Sequence, residues 1–159
     1  MSMIFIHYGS EHFNKEMFER PLFNGVQVRG LNKPLKGLWG SPVHSKKSWR
    51  DFCLSEDFRV SKLNERFLFK LKDSARVLKV LNTRDLYSLY RKYSIKEKRP
   101  SRPTLDWKRI AKSYDAMILM IPNDHNLVYD LNLSSWDVDS IVIFNPDVVV
   151  ELPKKSRVH

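Results

Sequence analysis

Three short segments of the chain carry side chains that can do chemistry. His7-Tyr8-Gly9-Ser10 ends an apolar run, Ile4-Phe5-Ile6. An imidazole at the end of a strand can move a proton or hold a hydroxyl, and the glycine beyond it lets backbone approach a ligand closely. Gly37-Leu38-Trp39-Gly40-Ser41-Pro42 is followed, ten residues after Trp39, by Trp49. Indole faces fix a flat ring at little entropy cost, and a cationic ring over indole gains roughly 0.5–2 kcal/mol. Trp136-Asp137-Val138-Asp139-Ser140 leads straight into another apolar stretch. Two carboxylates two residues apart on extended chain point the same way, and their repulsion raises one pKa, which suits a proton acceptor. Each segment also has a structural reading: a packed imidazole, a turn with a packing Trp, a solubilising loop.

Other chemistries find no support. There is no G-x-G-x-x-G and no Walker loop, so Rossmann and P-loop nucleotide binding are not expected. His7, His12, His44, His125 and His159 have no metal-ligand spacing, and no metal is expected. One cysteine, Cys53, leaves no intrachain disulfide and no cysteine zinc site, which suits a reducing cytosol. No apolar run approaches the roughly 20 residues of a membrane helix, and Met1–Ile6 is too short and uncharged for a signal peptide. The expectation is a cytoplasmic, soluble protein that uses no membrane.

The elements that must position these residues read as an α+β mixture. Ile4–Tyr8 predicts a strand, 20–44 an irregular loop with four of the five glycines, and a helix runs from a Ser45 or Ser48 cap to about Glu56. Strands follow at Phe67–Leu71 and Arg76–Leu81, then a helix from a Thr83 cap to about Tyr93. Thr104 caps a further helix to about Tyr114, and Ala116–Ile121 and Ser140–Phe144 are buried strands by composition. Strands and helices interleave without βαβ regularity. A length of 159 residues fits one domain over 1–153, with a basic tail at 154–159.

The charge is +10 and unevenly spread. Residues 113–151 hold seven acids and no Lys or Arg, whereas the first 112 hold 25 basic and 11 acidic residues. The densest stretch, 91–103, offers Arg91, Lys92, Lys96, Lys98, Arg99 and Arg102 against one acid. It reads as a track for a phosphate backbone, or as a solvated loop. Tyr87, Tyr90 and Tyr93 can stack on bases or form the inward stripe of a helix.

The order of the three segments resembles the ADP-ribosyltransferase superfamily: a strand-end His, then an aromatic-small-Ser stretch leading to a helix, then acids one residue apart entering a late strand. The resemblance spans the chain in order of motifs, on about twenty positions. It implies a split β-sandwich of two small sheets with flanking helices, closed around NAD. By resemblance to the diphtheria-toxin-like and poly-ADP-ribose polymerase-like branch, His7 holds a ribose hydroxyl and Gly9 clamps the nicotinamide amide, with Tyr8 inserted between them or itself in that register; Ser10 ends the motif. Trp39 and Trp49 sandwich nicotinamide. Trp39-Gly40-Ser41 also resembles the aromatic-serine motif of the cholera-toxin-like branch, so Ser41 is placed at the cofactor on either reading. Asp139 stands where the family has its catalytic Glu, one methylene shorter, and Asp137 stands two positions before it. Glu56 is the other acid available. Arg29, Lys33, Lys36 and Lys46 are the cations on offer to the pyrophosphate.

The implied activity is NAD-dependent mono-ADP-ribosyl transfer, similar to that of intracellular bacterial toxin and antiphage members. The basic two-thirds favours a nucleic acid acceptor over a protein, and single-stranded RNA over DNA, because an unstacked base is easier to reach. An antitoxin protein is an implied partner. The competing readings are ADP-ribosylation of a protein, a nucleic-acid-binding module without chemistry, and a metal-independent RNase using His7 and Tyr8.

Overall fold

The computed structural model describes residues 3–21, 32–34, 36–45, 49–57, 60–95 and 103–153. Nine strands and four α-helices lie among them: β1 (Phe5–Tyr8), β2 (Leu38–Pro42), α1 (Trp49–Ser55), β3 (Arg66–Leu71), β4 (Val77–Val80), α2 (Thr83–Tyr93), β5 (Ser94–Ile95), β6 (Thr104–Leu105), α3 (Trp107–Ser113), β7 (Ala116–Leu119), α4 (His125–Asp130), β8 (Ser140–Ile143) and β9 (Val149–Glu151). Seven strands form one sheet in the order β4-β7-β8-β2-β1-β3-β9, and β5 and β6 form a separate ribbon. The α+β expectation holds at this level.

The centre of the sheet turns on β2. Leu38, Trp39 and Gly40 pair with Ile143, Val142 and Ile141 of β8, whereas Ser41 and Pro42 pair with Ile6 and Phe5 of β1. One strand of five residues is thus shared between two halves of the sheet. Gly40 sits at the changeover. A Cβ there would lie 2.9 Å from the Ile6 carbonyl oxygen and 3.1 Å from the Phe69 ring. The sequence predicted loop at 20–44, because glycine and proline mark breaks. Here the glycine is inside a strand, for the reason strands admit it: another backbone comes too close for a side chain.

Two apolar cores follow from alternation. Ala116 and Ile118 of β7, with Ile141 and Ile143 of β8, join Phe5, Phe67 and Phe69 in one core. Met117, Leu119 and Val142 face the other way and meet α2, α3 and two buried tryptophans, Trp107 and Trp136. Strands covered on both faces read as unbroken apolar runs, and each such side chain contributes roughly 1.5–3 kcal/mol of burial.

One departure concerns β4 and β7, which pair in parallel, Val77 opposite Ala116 through Val80 opposite Leu119. A parallel pair needs a long crossover; here it is α2, the β5–β6 ribbon and α3. The chain therefore has one βαβ-like unit that the sequence reading did not assign. Asp115 locks its start. Its carboxylate accepts from Arg76 N (2.8 Å), Arg76 Nη2 (3.3 Å) and Asn145 Nδ2 (3.1 Å), and its carbonyl accepts from Phe144 N and Asn145 N. Burial raises the Asp115 pKa, but these hydrogen bonds prevail and hold it below the ordinary carboxylate value.

Helix caps moved by a residue or two. Asn82, not Thr83, caps α2 by accepting from Asp85 N, and Leu86, Leu89, Tyr90 and Tyr93 form its buried face. Thr104 is drawn into pairing with Ile95, so Asp106 caps α3 instead. Among the described residues no helix is long and apolar enough to cross a membrane. Replacing Gly40 with Ala should lower the unfolding free energy by about 1–3 kcal/mol, since backbone and a buried ring must both yield. Urea unfolding of the two proteins measures this.

Candidate functional site

The three segments singled out in the sequence meet at one cleft of about 530 Å³. Ile6, His7 and Tyr8 come from β1, and Trp39, Gly40 and Ser41 from β2. Trp49 opens α1, and Trp136, Asp137, Val138 and Ser140 lead into β8. Lys33, Pro34, Lys36 and Ser135 complete the wall. The volume is within the usual range for small-ligand sites.

The β1–β2 junction fixes the imidazole. His7 Nδ1 lies 2.6 Å from the Trp39 carbonyl oxygen. A carbonyl only accepts, so Nδ1 carries the proton and Nε2 of the neutral ring is an acceptor. Burial lowers the His7 pKa below its ordinary 6.5, and the bond to Trp39 only partly offsets that. The ring is therefore neutral at pH 7. Gly9, at φ +121°, turns the chain immediately after β1 and leaves its α-carbon next to His7 Nε2: a Cβ there would be 3.8 Å away. Neither Gly9 nor Ser10 lines the cleft.

The indoles form a graded series. Trp39 is half-buried, and its Nε1 donates to the Lys36 carbonyl (2.8 Å). Its ring meets Trp136 at 5.0 Å between centroids, and Trp136 stacks on Trp107 at 5.6 Å and 30°. Ser41 lines the cleft, and its buried hydroxyl oxygen accepts from Trp49 N at 3.4 Å, at the start of α1.

The Trp136 wall is anchored by Asn32, which has no solvent exposure. Asn32 Nδ2 donates to the Tyr90 hydroxyl (2.9 Å) and to the Leu131 carbonyl (3.3 Å), and Oδ1 accepts from Leu105 N (2.8 Å). The Asn32 carbonyl accepts from Trp136 Nε1 at 2.8 Å. This places Lys33, whose Nζ donates to the Ser135 carbonyl at 3.1 Å, on the cleft wall. Lys36 pairs with Glu19. Asn32 was not singled out in the sequence; a buried asparagine inside a glycine-rich loop leaves no periodic signal.

The two aspartates separate. Asp137 is exposed and lines the cleft. Partial burial raises its pKa, Lys33 lowers it and Glu56 raises it again, with the net direction upward. Asp139 is 6% exposed and does not line the cleft. Its Oδ2 accepts from Ser45 Oγ (2.6 Å) and its Oδ1 from Ile121 N (2.7 Å). The same-side expectation fails because β8 starts only at Ser140: residues 137–139 precede the pleat that the alternation assumed. Asp139 ties the approach to α1 to the end of β7.

Of the cations in the basic stretch, Arg91 and Lys92 are exposed on the last turn of α2 and do not line the cleft. Lys96, Lys98, Arg99 and Arg102 lie outside the described residues, as do Arg29, Lys46 and the 154–159 tail. Tyr90 and Tyr93 belong to the core, while Tyr87 is exposed. No group of three or more His, Cys, Asp or Glu among the described residues is placed to hold a metal ion.

Comparison with protein-family models, with curated proteins and with solved structures finds no match. The two aspartates make opposite predictions for stability. Asp139→Ala removes a buried carboxylate that accepts from both Ser45 Oγ and Ile121 N and should cost about 2–4 kcal/mol, whereas Asp137→Ala should change unfolding by less than about 0.5 kcal/mol. Thermal and urea unfolding read both. His7 adds a pH signature. Because its folded pKa is depressed, its contribution is complete above pH 6.5 and is lost as pH falls through the lower folded value. In His7→Asn that part of the pH dependence should disappear.

Proposed function

We propose that the cleft binds NAD and transfers ADP-ribose from it to a nucleic acid acceptor. The observation that carries this reading is the convergence in one cleft of an acceptor imidazole, indole faces, two lysines and one carboxylate. Each matches a part of NAD: rings for the pyridinium, ammonium groups for the pyrophosphate, His7 Nε2 for a ribose hydroxyl. The divided β2 supports the finer fold assignment, a split sandwich of the ADP-ribosyltransferase kind, since each half of the strand belongs to a different half-sheet.

The chemistry follows from the leaving group. The bond between ribose C1′ and the pyridinium nitrogen breaks, and its electron pair neutralises the departing nicotinamide. Positive charge then builds on the sugar ring. Asp137 is the carboxylate we assign to face it, because it lines the cleft and Asp139 does not. A fixed negative charge in a partly desolvated site stabilises such a cation strongly. Trp39 and Trp49 hold the pyridinium and release the neutral ring. The acceptor's nucleophilic atom bonds to C1′ and loses a proton. Glu56, exposed just beyond α1 and within electrostatic reach of Asp137, is the group we assign to take it. Asp139 acts through position, holding the approach to α1 and therefore the setting of Trp49.

The experiment is incubation with NAD labelled on the adenylate, together with mixed RNA, DNA and protein, and measurement of nicotinamide release. Label should enter the RNA fraction. Label in protein alone would favour the protein acceptor; RNA cleavage without NAD would favour the RNase; no label and no nicotinamide would end the transferase reading. Asp137→Asn should slow nicotinamide release by about 10²–10³-fold with the fold intact. In the wild type, release should fall with acid at a pH above that of an ordinary carboxylate, because the Asp137 pKa is raised. That acid limb should be missing in Asp137→Asn.

A further inference from the structure

Cations also stand beside the cleft where β1 stops. Tyr8 is half-buried and lines the cleft. Its direct cross-strand partner on β3 is Arg66, the first residue of that strand and exposed. Directly opposite residues carry side chains side by side on one face; the neighbouring pair, His7 and Phe67, has ring centroids 5.1 Å apart. Arg50, also exposed, follows Trp49 in the first turn of α1. Both guanidiniums are close enough to Tyr8 to pull its pKa down against the larger effect of burial, and Asp51 acts the other way. Arg66 Nη1 also donates to the Leu63 carbonyl at 3.3 Å, which steadies the head group.

We propose that Tyr8, Arg66 and Arg50 form the acceptor subsite, with an unstacked base on the Tyr8 ring and its flanking phosphates on the two guanidiniums. The acceptor is then a single-stranded nucleic acid. A phenol ring gives a base a face that tolerates any sequence, and arginine forks suit phosphate oxygens. An acidic protein segment would use the two arginines but not the ring. This rests on the cleft being the NAD site, because it places the acceptor beside the same cleft. It also moves the acceptor contact from Arg91 and Lys92 to two arginines that flank the cleft-lining Tyr8, although none of the four lines the cleft itself.

The test is binding of a fluorescent single-stranded RNA oligonucleotide across a salt series. Arg50→Ala/Arg66→Ala should flatten the dependence of log K on log salt by about 1.4, the value for two phosphates on a single strand. Arg84→Ala/Lys108→Ala removes the same charge from exposed positions on α2 and α3 and should flatten it by less than half as much. Tyr8→Ala should weaken binding by about 5- to 100-fold, and Tyr8→Phe should restore it. Equal effects of the two charge pairs, no effect of Tyr8→Ala, or displacement of the oligonucleotide by poly-glutamate at equal charge would each overturn the proposal. NAD binding, read by tryptophan fluorescence, is scored separately. An oligonucleotide result without NAD binding would sink the transferase reading and leave a nucleic acid site. NAD binding with equal charge pairs would sink the acceptor subsite alone.

Discussion

The fold depends on a division of hydrogen bonds within β2. Leu38, Trp39 and Gly40 pair with β8, and Ser41 and Pro42 pair with β1. The changeover works because Gly40 brings no side chain between the Ile6 carbonyl and the Phe69 ring. From that point three consequences follow. The Trp39 carbonyl is aligned with His7 Nδ1. Ser41 Oγ is aligned with the start of α1. Ile6, His7, Trp39, Gly40 and Ser41, on either side of the changeover, line the cleft. Backbone geometry therefore sets the imidazole tautomer, the start of a helix and the space for a ligand together.

Charge is distributed around the cleft. Lys33, Lys36 and Asp137 line it, and Tyr8, also in the lining, has Arg66 as its cross-strand partner and feels Arg50. Both lysines already have oxygen partners, the Ser135 carbonyl and the Glu19 carboxylate. An anion arriving there exchanges one set of contacts for another, so its net gain is smaller than a bare charge count suggests. Asp137 is different. It is partly desolvated, with Lys33 and Glu56 pulling its pKa in opposite directions. A cation forming beside it would relieve that cost, which is the physical reason to assign it the charge-stabilising role.

Much of the site was legible in the sequence because its residues occur at breaks. His7, Trp39, Ser41, Trp49 and Asp137 all flank turns or strand ends, where apolar periodicity stops and a polar side chain needs a reason. The separation of Asp137 from Asp139 was not legible. Spacing of two implies one face only inside a strand, and β8 begins at Ser140. Asn32 was hidden for a related cause: its hydrogen bonds reach Tyr90, Leu105 and Leu131, all distant in sequence. In the fold, the long apolar strands and α2 were clear from composition. The short elements were not. Thr104 looked like a helix cap until pairing with Ile95 took it, and α4, capped by Asp124, is a single amphipathic segment of six residues. The parallel pairing of β4 and β7 is a property of the whole chain, and no local pattern announces it.

The central claim is that NAD enters between the indoles of this cleft. The most direct measurement is a nitrogen–proton spectrum of protein labelled at the indole nitrogens, recorded as NAD is added. The account predicts that the Trp39 and Trp49 signals move most, that Trp136 follows through its contact with Trp39, and that Trp107, buried behind it, stays in place. Unmoved Trp39 and Trp49 signals at saturating NAD, or a response confined to Trp107, would contradict it.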